Sequence, residues 1–442
     1  MPKEGIAMKS SKSNESARSQ SSPWSNRNYR VWFAADTSLL IGVTIGAFAF
    51  SLLGYTVSHD VAIAGFAATA YSLVRGGATL IGGMIIDRFD RRKLMIVGGL
   101  ASFVVLAGMI GAWTTGLMTV PVLFVFAALR GLTSGLFSGV TDTVLPQIVS
   151  GGQLTQAYAA NETRDAVANM LSSPLSGWLY AFGPDIPFMV SAVMYAVMVA
   201  CAPFIKADLR PEAGRADDDR TEEEKAQAAS HADKSLTAAL RWYIQWPAAT
   251  VLMLLVVLVN FSLNLGSTVA LLHQQAISTP AWTIGMISTF NGMGMLIGSL
   301  FTEPLTKRFR GGRVVQIGLA PAPVAFVGMT LTDNPWIIAV CCGVGSLLLI
   351  PCNAVLGAYT ELIMPNDMRG RINAVSDLFA MVFGSLAAAV SGVLLKGLGY
   401  TLAMGIATAL VALTLAMTIC SKAISGIPFR GEFDAIRPFP LR

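Results

Sequence analysis

The sequence predicts an all-α membrane protein: twelve transmembrane helices arranged as two pseudo-symmetric six-helix bundles. Three observations predict it. Of 442 residues, 54% are hydrophobic and only 13% are charged, about half the charged share of a soluble chain. Twelve apolar runs are each long enough for a hydrocarbon core ~30 Å thick, which takes about 20 helical residues. The second six runs also repeat landmarks of the first six at a fixed step.

The first six runs lie near 32–55, 61–86, 94–115, 119–145, 158–182 and 186–205. The second six lie near 247–272, 281–303, 313–331, 335–362, 371–396 and 400–420. The expected organisation is a polar tail over 1–30, a bundle over 31–205, a linker over 206–245, a second bundle over 246–421 and a tail over 422–442. The linker holds Asp217, Asp218, Asp219 and Glu222, Glu223, Glu224 and cannot cross a membrane. No short apolar core with a cleavage site precedes the first run, so the first helix is expected to direct insertion.

Lys and Arg placement sets the expected orientation. The segments 87–93, 206–241, 304–313 and 364–371, together with the two terminal tails, carry nearly all the basic residues, and the loops between them on the opposite side carry none. Arg75, Arg130, Arg164 and Lys396 are the exceptions. Both termini are therefore expected in the cytoplasm, with the chain in a bacterial plasma membrane.

The repeat is visible in particular residues. Arg88-Phe89 precedes Gly98 as Arg308-Phe309 precedes Gly318; Pro146 corresponds to Pro365 and Gly183 to Gly399. Two such halves around a midplane cavity suit alternating access. Small residues four apart, Gly42/Gly46, Gly131/Gly135/Gly139 and Gly294/Gly298, mark faces where helices pack closely.

The sharpest local pattern joins the second and third runs: Gly83-Met84-Ile85-Ile86-Asp87-Arg88-Phe89-Asp90-Arg91-Arg92-Lys93. Here the chain resembles the major facilitator superfamily, which carries a Gly-x-x-x-Asp-Arg-x-x-Arg-Arg loop in this place. The resemblance implies a latch made by Gly83, Asp87, Arg88, Arg91 and Arg92, holding the two halves in the outward-facing state. Asp87 would then meet the helix beginning at Gly370-Arg371. Asp90 stands where many members have glycine, and Lys307 stands at the second-half counterpart of Asp87. Pro365-Asn366-Asp367-Met368-Arg369-Gly370-Arg371 and the Asp-Arg-Phe-Asp-Arg-Arg form of the loop resemble the macrolide-efflux and enterobactin-exporter branch of drug:proton antiporters.

Charges inside apolar runs are costly and mark candidate functional sites. Arg130 lies about nine residues into the fourth run, roughly 14 Å deep. An arginine in this helix is tied to proton coupling in the family; here Ser134 replaces the glycine that usually follows four residues later. Arg75 is twelve residues before Asp87, again near the midplane. Asp36 is the acid of the first run and the nearest expected partner of Arg75. Asp36, Arg75 and Arg130 are the proton-coupling candidates, with static ion pairing as the alternative.

Glu162, Arg164 and Asp165 open the fifth run, and Asp377 lies six residues into the eleventh. All four are inner-gate candidates. Ser173-Pro174-x-x-Gly177 resembles a family antiporter motif with its first glycine replaced. Asn260, Asn264, Asn291 and Asn353 are candidates for hydrogen bonding a substrate, or equally for bonding between helices.

Other functions leave no pattern. There is no Gly-x-x-x-x-Gly-Lys-Ser/Thr loop and no His-Glu-x-x-His; three histidines are scattered, and five cysteines lie in apolar runs without metal-ligand spacing. Neither an enzyme nor a metal site is expected. No cofactor is expected, the energy source being the proton gradient. The expected partners are a small-molecule substrate and the lipid bilayer, not nucleic acid, with the chain acting as a monomer. The reading is export of a small amphipathic compound, drug-, macrolide- or siderophore-like, by proton antiport. Uptake, facilitated diffusion and a non-transporting sensor with the same fold stay open.

Overall fold

The computed structural model describes residues 22–149, 151–207, 209, 239–365, 368–435 and 439. The tail over 1–21 and most of the linker expected at 206–245 lie outside the described residues. Six helical passages make the amino-terminal half: α1 (Arg27–Ser58), α2 (Val61–Arg88), α3 (Arg91–Thr114), α4 (Val120–Leu136), α5 (Gly151–Phe182) and α6 (Ile186–Cys201). Six more make the carboxy-terminal half. These are α7 (Pro247–Ala276), α8 (Ala281–Ser299, continued after a bend by Thr302–Arg308), α9 (Gly311–Leu319, continued by Pro321–Thr330) and α10 (Pro335–Ser346, continued by Leu349–Ile363). A last run, Arg369–Cys420, breaks at Gly399, whose φ of 77° lies in the left-handed region. Its two parts are α11 (369–398) and α12 (400–420).

Short polar residues begin these helices by capping free backbone N–H groups. The side chains of Asn26, Asp60, Asp90 and Asn334 accept from Asn28, Ala62, Arg92 and Trp336 N–H. This gives Asp90 a purpose: it starts α3. The sequence repeat is also structural. Phe89 and Phe309 are both extended residues that end a helix, each donating its N–H four residues back, at 3.0 Å. Gly98 lies against Phe137 and Gly318 against Cys352, so α3 meets α4 as α9 meets α10.

Each half has its own core. Trp32, Leu106, Leu123 and Phe188 centre the first; Trp242, Leu255, Val314 and Ile372 are among those that centre the second. Large apolar side chains such as Leu300, Val324 and Leu331 point outward, as lipid-facing positions do. The final residues fold back onto the second half. Gly311 N–H donates to Pro428 O at 2.9 Å, Phe439 N–H donates to Ile363 O at 2.8 Å, and the Phe439 ring stacks on Trp246.

The fourth run departs from its expected 119–145 span. Helix α4 stops at Leu136, and residues 137–144 follow as turns, with Gly139 at φ 77°. Gly139 is therefore a chain-bending residue and not part of the packing stripe of Gly131 and Gly135. Non-helical backbone at membrane depth requires a cavity or protein partners. Here the turn lines a cavity, and Thr141 O accepts the indole N–H of Trp32 at 2.9 Å.

The halves meet through α2 with α11 and α5 with α8. The glycine contacts between them run from the end of the bundle holding residues 58–61, the far end, down to Gly76 against Met381. Gly65 abuts the Ala388 carbonyl, Gly392 that of Val61, Gly177 that of Ala281 and Gly285 that of Ser173. Thr69 Oγ1 donates to Ser385 O at 2.8 Å and Thr289 Oγ1 to Met170 O at 2.9 Å. Phe48, Leu52 and Ile284 form one apolar plug there, and Ala64, Leu272 and Leu395 another. Lys396 pairs with Asp60 across the seam.

The hydrogen bond from Lys396 holds the Asp60 carboxyl below the usual carboxylate range. Its contribution is therefore present above that range and lost as pH falls below it. The pair is exposed, so it contributes under about 1 kcal/mol. Asp60→Asn or Lys396→Ala is expected to raise thiol labelling of an Ala388→Cys probe a few-fold at pH 7. The charge-swapped pair Asp60→Lys with Lys396→Asp should restore wild-type labelling, and acid titration should loosen the wild type but not the single variants.

Candidate functional site

The amino-terminal half encloses a cavity of about 220 Å³ beside the α4 turn. Asp36 of α1, Arg164 and Asp165 of α5, and Asp142 of the turn all line it. Arg164 is the hub: Nη2 lies 2.6 Å from Asp36 Oδ2 and 2.7 Å from Asp165 Oδ1, and Nε donates to Asp165 Oδ1 at 2.8 Å. Phe33 lies under the guanidinium at 5.0 Å. Asp36 is 5% exposed, and a carboxylate so buried needs its cation. Three carboxylates thus face one guanidinium in this cluster. Among the described residues no group of His, Cys, Asp and Glu is arranged to hold a metal ion.

The expected pairing of Asp36 with Arg75 is corrected to Asp36 with Arg164. Asp36 lies on the α5 side of α1, while Arg75 belongs to the opposite wall. Glu162 is exposed, and the structure records no ion pair for it. Asp165, three residues on along the same helix, pairs with Arg164 instead.

A second cavity, of about 540 Å³, lies between the halves. Ser72, Arg75 and Thr79 of α2 form one wall; Asn264 of α7 and Asp377 and Ser385 of α11 form the other. Arg75 lines both cavities. Its backbone is clamped by α4, since Gly131 and Gly135 abut the α2 backbone at Tyr71 and Arg75.

A family model described as Major Facilitator Superfamily matches residues 33–376. The chain belongs to the major facilitator superfamily. The enterobactin exporter EntS of Citrobacter koseri is 24% identical over 356 residues, covering 78% of this chain and 80% of that one. The corresponding exporter of Shigella boydii is 23% identical over 363 residues, with shares of 78% and 80%. Two solved structures share the fold. A bacterial homologue of the iron transporter ferroportin, in its inward-facing state, has a TM-score of 0.64 at 17% identity, covering 90% of this chain and 99% of that one. A POT peptide transporter has a TM-score of 0.66 at 14% identity, covering 91% and 96%. The protein is a facilitator-type multi-pass transporter and not an enzyme.

Within this facilitator, Arg130 is 3% exposed, and among the described residues no carboxylate meets it. Its Nη1 donates to Gly46 O at 3.1 Å, and the guanidinium lies between the Phe50 and Phe188 rings at 5.8 and 5.9 Å. A helix carbonyl and two π faces take the place of an ion partner. A Cβ at Gly46 would stand 2.9 Å from Arg130 Nη2 and 3.0 Å from Ser191 Oγ, so Gly46 makes the space the arginine fills.

With the far end sealed, the signature loop stands as a latch of the outward-facing state would when undone. Asp87 and Arg371 are exposed, and the structure records no ion pair for either. Arg92 Nη2 donates to Ile205 O at 2.5 Å and Ala207 O at 2.6 Å, and Arg91 Nη1 to Thr143 O at 3.1 Å. These two arginines tie the start of α3 to the ends of α4 and α6 within one half. Arg88 is likewise exposed. Gly83 has open space at its Cβ position; it is Gly82, one residue earlier and some 100° around α2, that packs on Leu136 and Gly135 of α4. At the second copy, Lys307 pairs with Glu303 at 2.5 Å.

Asp377, an inner-gate candidate, stands on the central cavity wall. Of the asparagines, Asn264 lines that cavity, but its amide donates to Asn260 O, and that of Asn260 to Val256 O. Asn291 lines a separate cavity of about 180 Å³ with Ser267 and Cys342. Asn353 is exposed and lines none of these cavities. Sequence reasoning missed Asp142, because it read the turn as helix; Gly139 three residues earlier was the available signal.

Gly46→Val is expected to push Arg130 out of place and cost about 1–3 kcal/mol by overpacking. Thermal unfolding should show a Tm lower by several degrees, with Gly111→Ala, where a Cβ meets nothing within 4 Å, unchanged.

Proposed function

We propose that the protein exports a small amphipathic compound across a bacterial plasma membrane by proton antiport with alternating access, with both termini in the cytoplasm. The observation that carries the coupling is the cavity in which Asp36, Asp142 and Asp165 face Arg164. With Arg75 on its wall, the cavity holds three acids and two guanidinium groups when all are ionised. One proton removes the surplus negative charge, and its loss restores it. A buried group that changes charge changes which packing is favoured, because unpaired charge in a low dielectric is costly.

The direction rests on likeness to the enterobactin exporters and on the basic residues concentrated in 87–93 and 304–313. In this cycle substrate enters the central cavity from the basic end, opposite the sealed far end. The seam between α2 and α11 then opens, and protonation of Asp36 returns the protein to its starting state. A proton entering gains about 2.3 kcal/mol per 100 mV of inside-negative potential.

The experiment is flux in proteoliposomes under an imposed pH gradient, with erythromycin, ethidium and a catechol siderophore as probes. The expected result is gradient-driven flux of at least one probe. Asp36→Asn should lower it at least tenfold while sparing exchange without a gradient. Flux indifferent to the gradient in the wild type would overturn proton coupling. Gradient-driven flux unchanged in Asp36→Asn would remove Asp36 as the carrier.

A further inference from the structure

We infer that Arg75 is the substrate anchor of the central cavity and that it selects a ligand carrying one anionic group. This rests on the transport reading above and names its substrate class.

Arg75 lies twelve residues from Asp87 along α2, so it stands about 18 Å from that end, near the bilayer midplane. Among the described residues no carboxylate lies within ion-pair distance of it. Of the nearby acids, Asp36 and Asp165 close on Arg164, Asp142 lies with them on the enclosed cavity without an ion pair to Arg75, and Asp377 stands on the far wall of the central cavity. Arg75 is exposed where it lines both cavities, so its guanidinium is open to a ligand. Its donors form a planar fork suited to a carboxylate, sulfonate or phosphate. The Arg75 backbone is held in place, since Gly131 and Gly135 bring the α4 backbone against Arg75 N and O. The cavity it lines, about 540 Å³, falls within the range of small-molecule sites.

The opposite wall sets the other half of the ligand. Asp377 and Ser385 accept hydrogen bonds, and a second anionic group beside Asp377 is repelled. The ligand is therefore an amphipath with one acidic end on Arg75 and a neutral or donor-bearing end toward α11. Outward movement of that anion and inward movement of a proton both shift charge in the direction the inside-negative potential favours, so the cycle is electrogenic.

The test uses two probes of one aryl-amine skeleton: 1-anilinonaphthalene-8-sulfonate, which is anionic, and N-phenyl-1-naphthylamine, which is neutral. Binding is measured to the full chain in lipid nanodiscs, with protein-free discs subtracted. The wild type should bind the sulfonate at least tenfold more tightly than the amine. Arg75→Gln should abolish that preference and leave the amine affinity unchanged, Arg75→Lys should keep part of it, and Asp377→Asn should tighten the sulfonate. Loss of both affinities together in Arg75→Gln, or an undiminished preference for the sulfonate, would overturn the anchor. Flux is read separately in proteoliposomes with an imposed potential. Sulfonate preference without potential-driven flux would sink the transport reading and leave the binding assignment standing.

Discussion

In a bilayer no hydrophobic force draws one helix to another, because lipid tails are as apolar as leucine. The architecture therefore depends on backbones coming close enough for dispersion and carbonyl contacts to hold them. Gly82, Gly131 and Gly135 bring α2 to α4; Gly294 and Gly298 bring α8 to Gly343 and Leu347 of α10; Gly42 and Gly46 bring α1 to α6. At all of them except Gly42, where the nearest atom would be 3.2 Å away, a Cβ would come within 3.0 Å of a neighbour. The same device joins the halves at Gly65, Gly177, Gly285 and Gly392. Within a half the contacts fix a rigid body. Between halves they lie toward one end, where a seam can open while each body keeps its shape.

Rigid bodies make buried charges usable. Arg130 and Arg164 occupy positions where lipid exposure would be prohibitive, and each is met by groups held on neighbouring helices. Their partners differ in kind. Arg130 has a carbonyl and two rings, none of which exchanges a proton near neutral pH. Arg164 has carboxylates, groups that can take up and release a proton. By chemistry alone, the Asp36–Arg164–Asp165 set is the better place for a charge that changes during a cycle, and Arg130 the better place for one that stays. This reverses the weight that family resemblance puts on the arginine of the fourth helix.

What the sequence made legible follows from periodicity and cost. The twelve passages were readable because spanning a bilayer needs about 20 apolar residues, and few other constraints produce so many such runs. Close packing was readable from glycines four apart. Pairings were less so. Helix order suggested Arg75 for Asp36, but which face a residue occupies depends on helix rotation, and a step of one residue moves it 100°. The same step separates Gly83, the signature glycine, from Gly82, which makes the contact. The α4 turn was hidden because Phe137, Val140 and Val144 are as apolar as a helix would be; only Gly139 spoke against it. The carbonyl partners of Arg91 and Arg92, Thr143, Ile205 and Ala207, were not legible either, because they are set by how the chain turns after α4 and α6.

The two halves repeat in shape but not in charge. At the repeat step of 216–220, Asp36 falls on Leu252–Val256, Arg75 on Asn291–Met295, Arg130 on Ser346–Ile350 and Arg164 on Ala380–Gly384, stretches with no charged residue. Asp142 falls on 358–362, and its counterpart Glu361 is bound to Arg369 at 3.0 Å and to the Asn373 amide at 2.6 Å. A duplicated unit would carry charges in both copies unless one copy had been freed of them. The buried ionic machinery is therefore concentrated in the amino-terminal half. The carboxy-terminal half presents a mostly neutral wall with Asp377 as its charged group on the central cavity. When such halves rock, the field at the cavity changes because one charged body moves against one nearly neutral body. A single protonation in the first half is then felt across the seam without a matching event in the second.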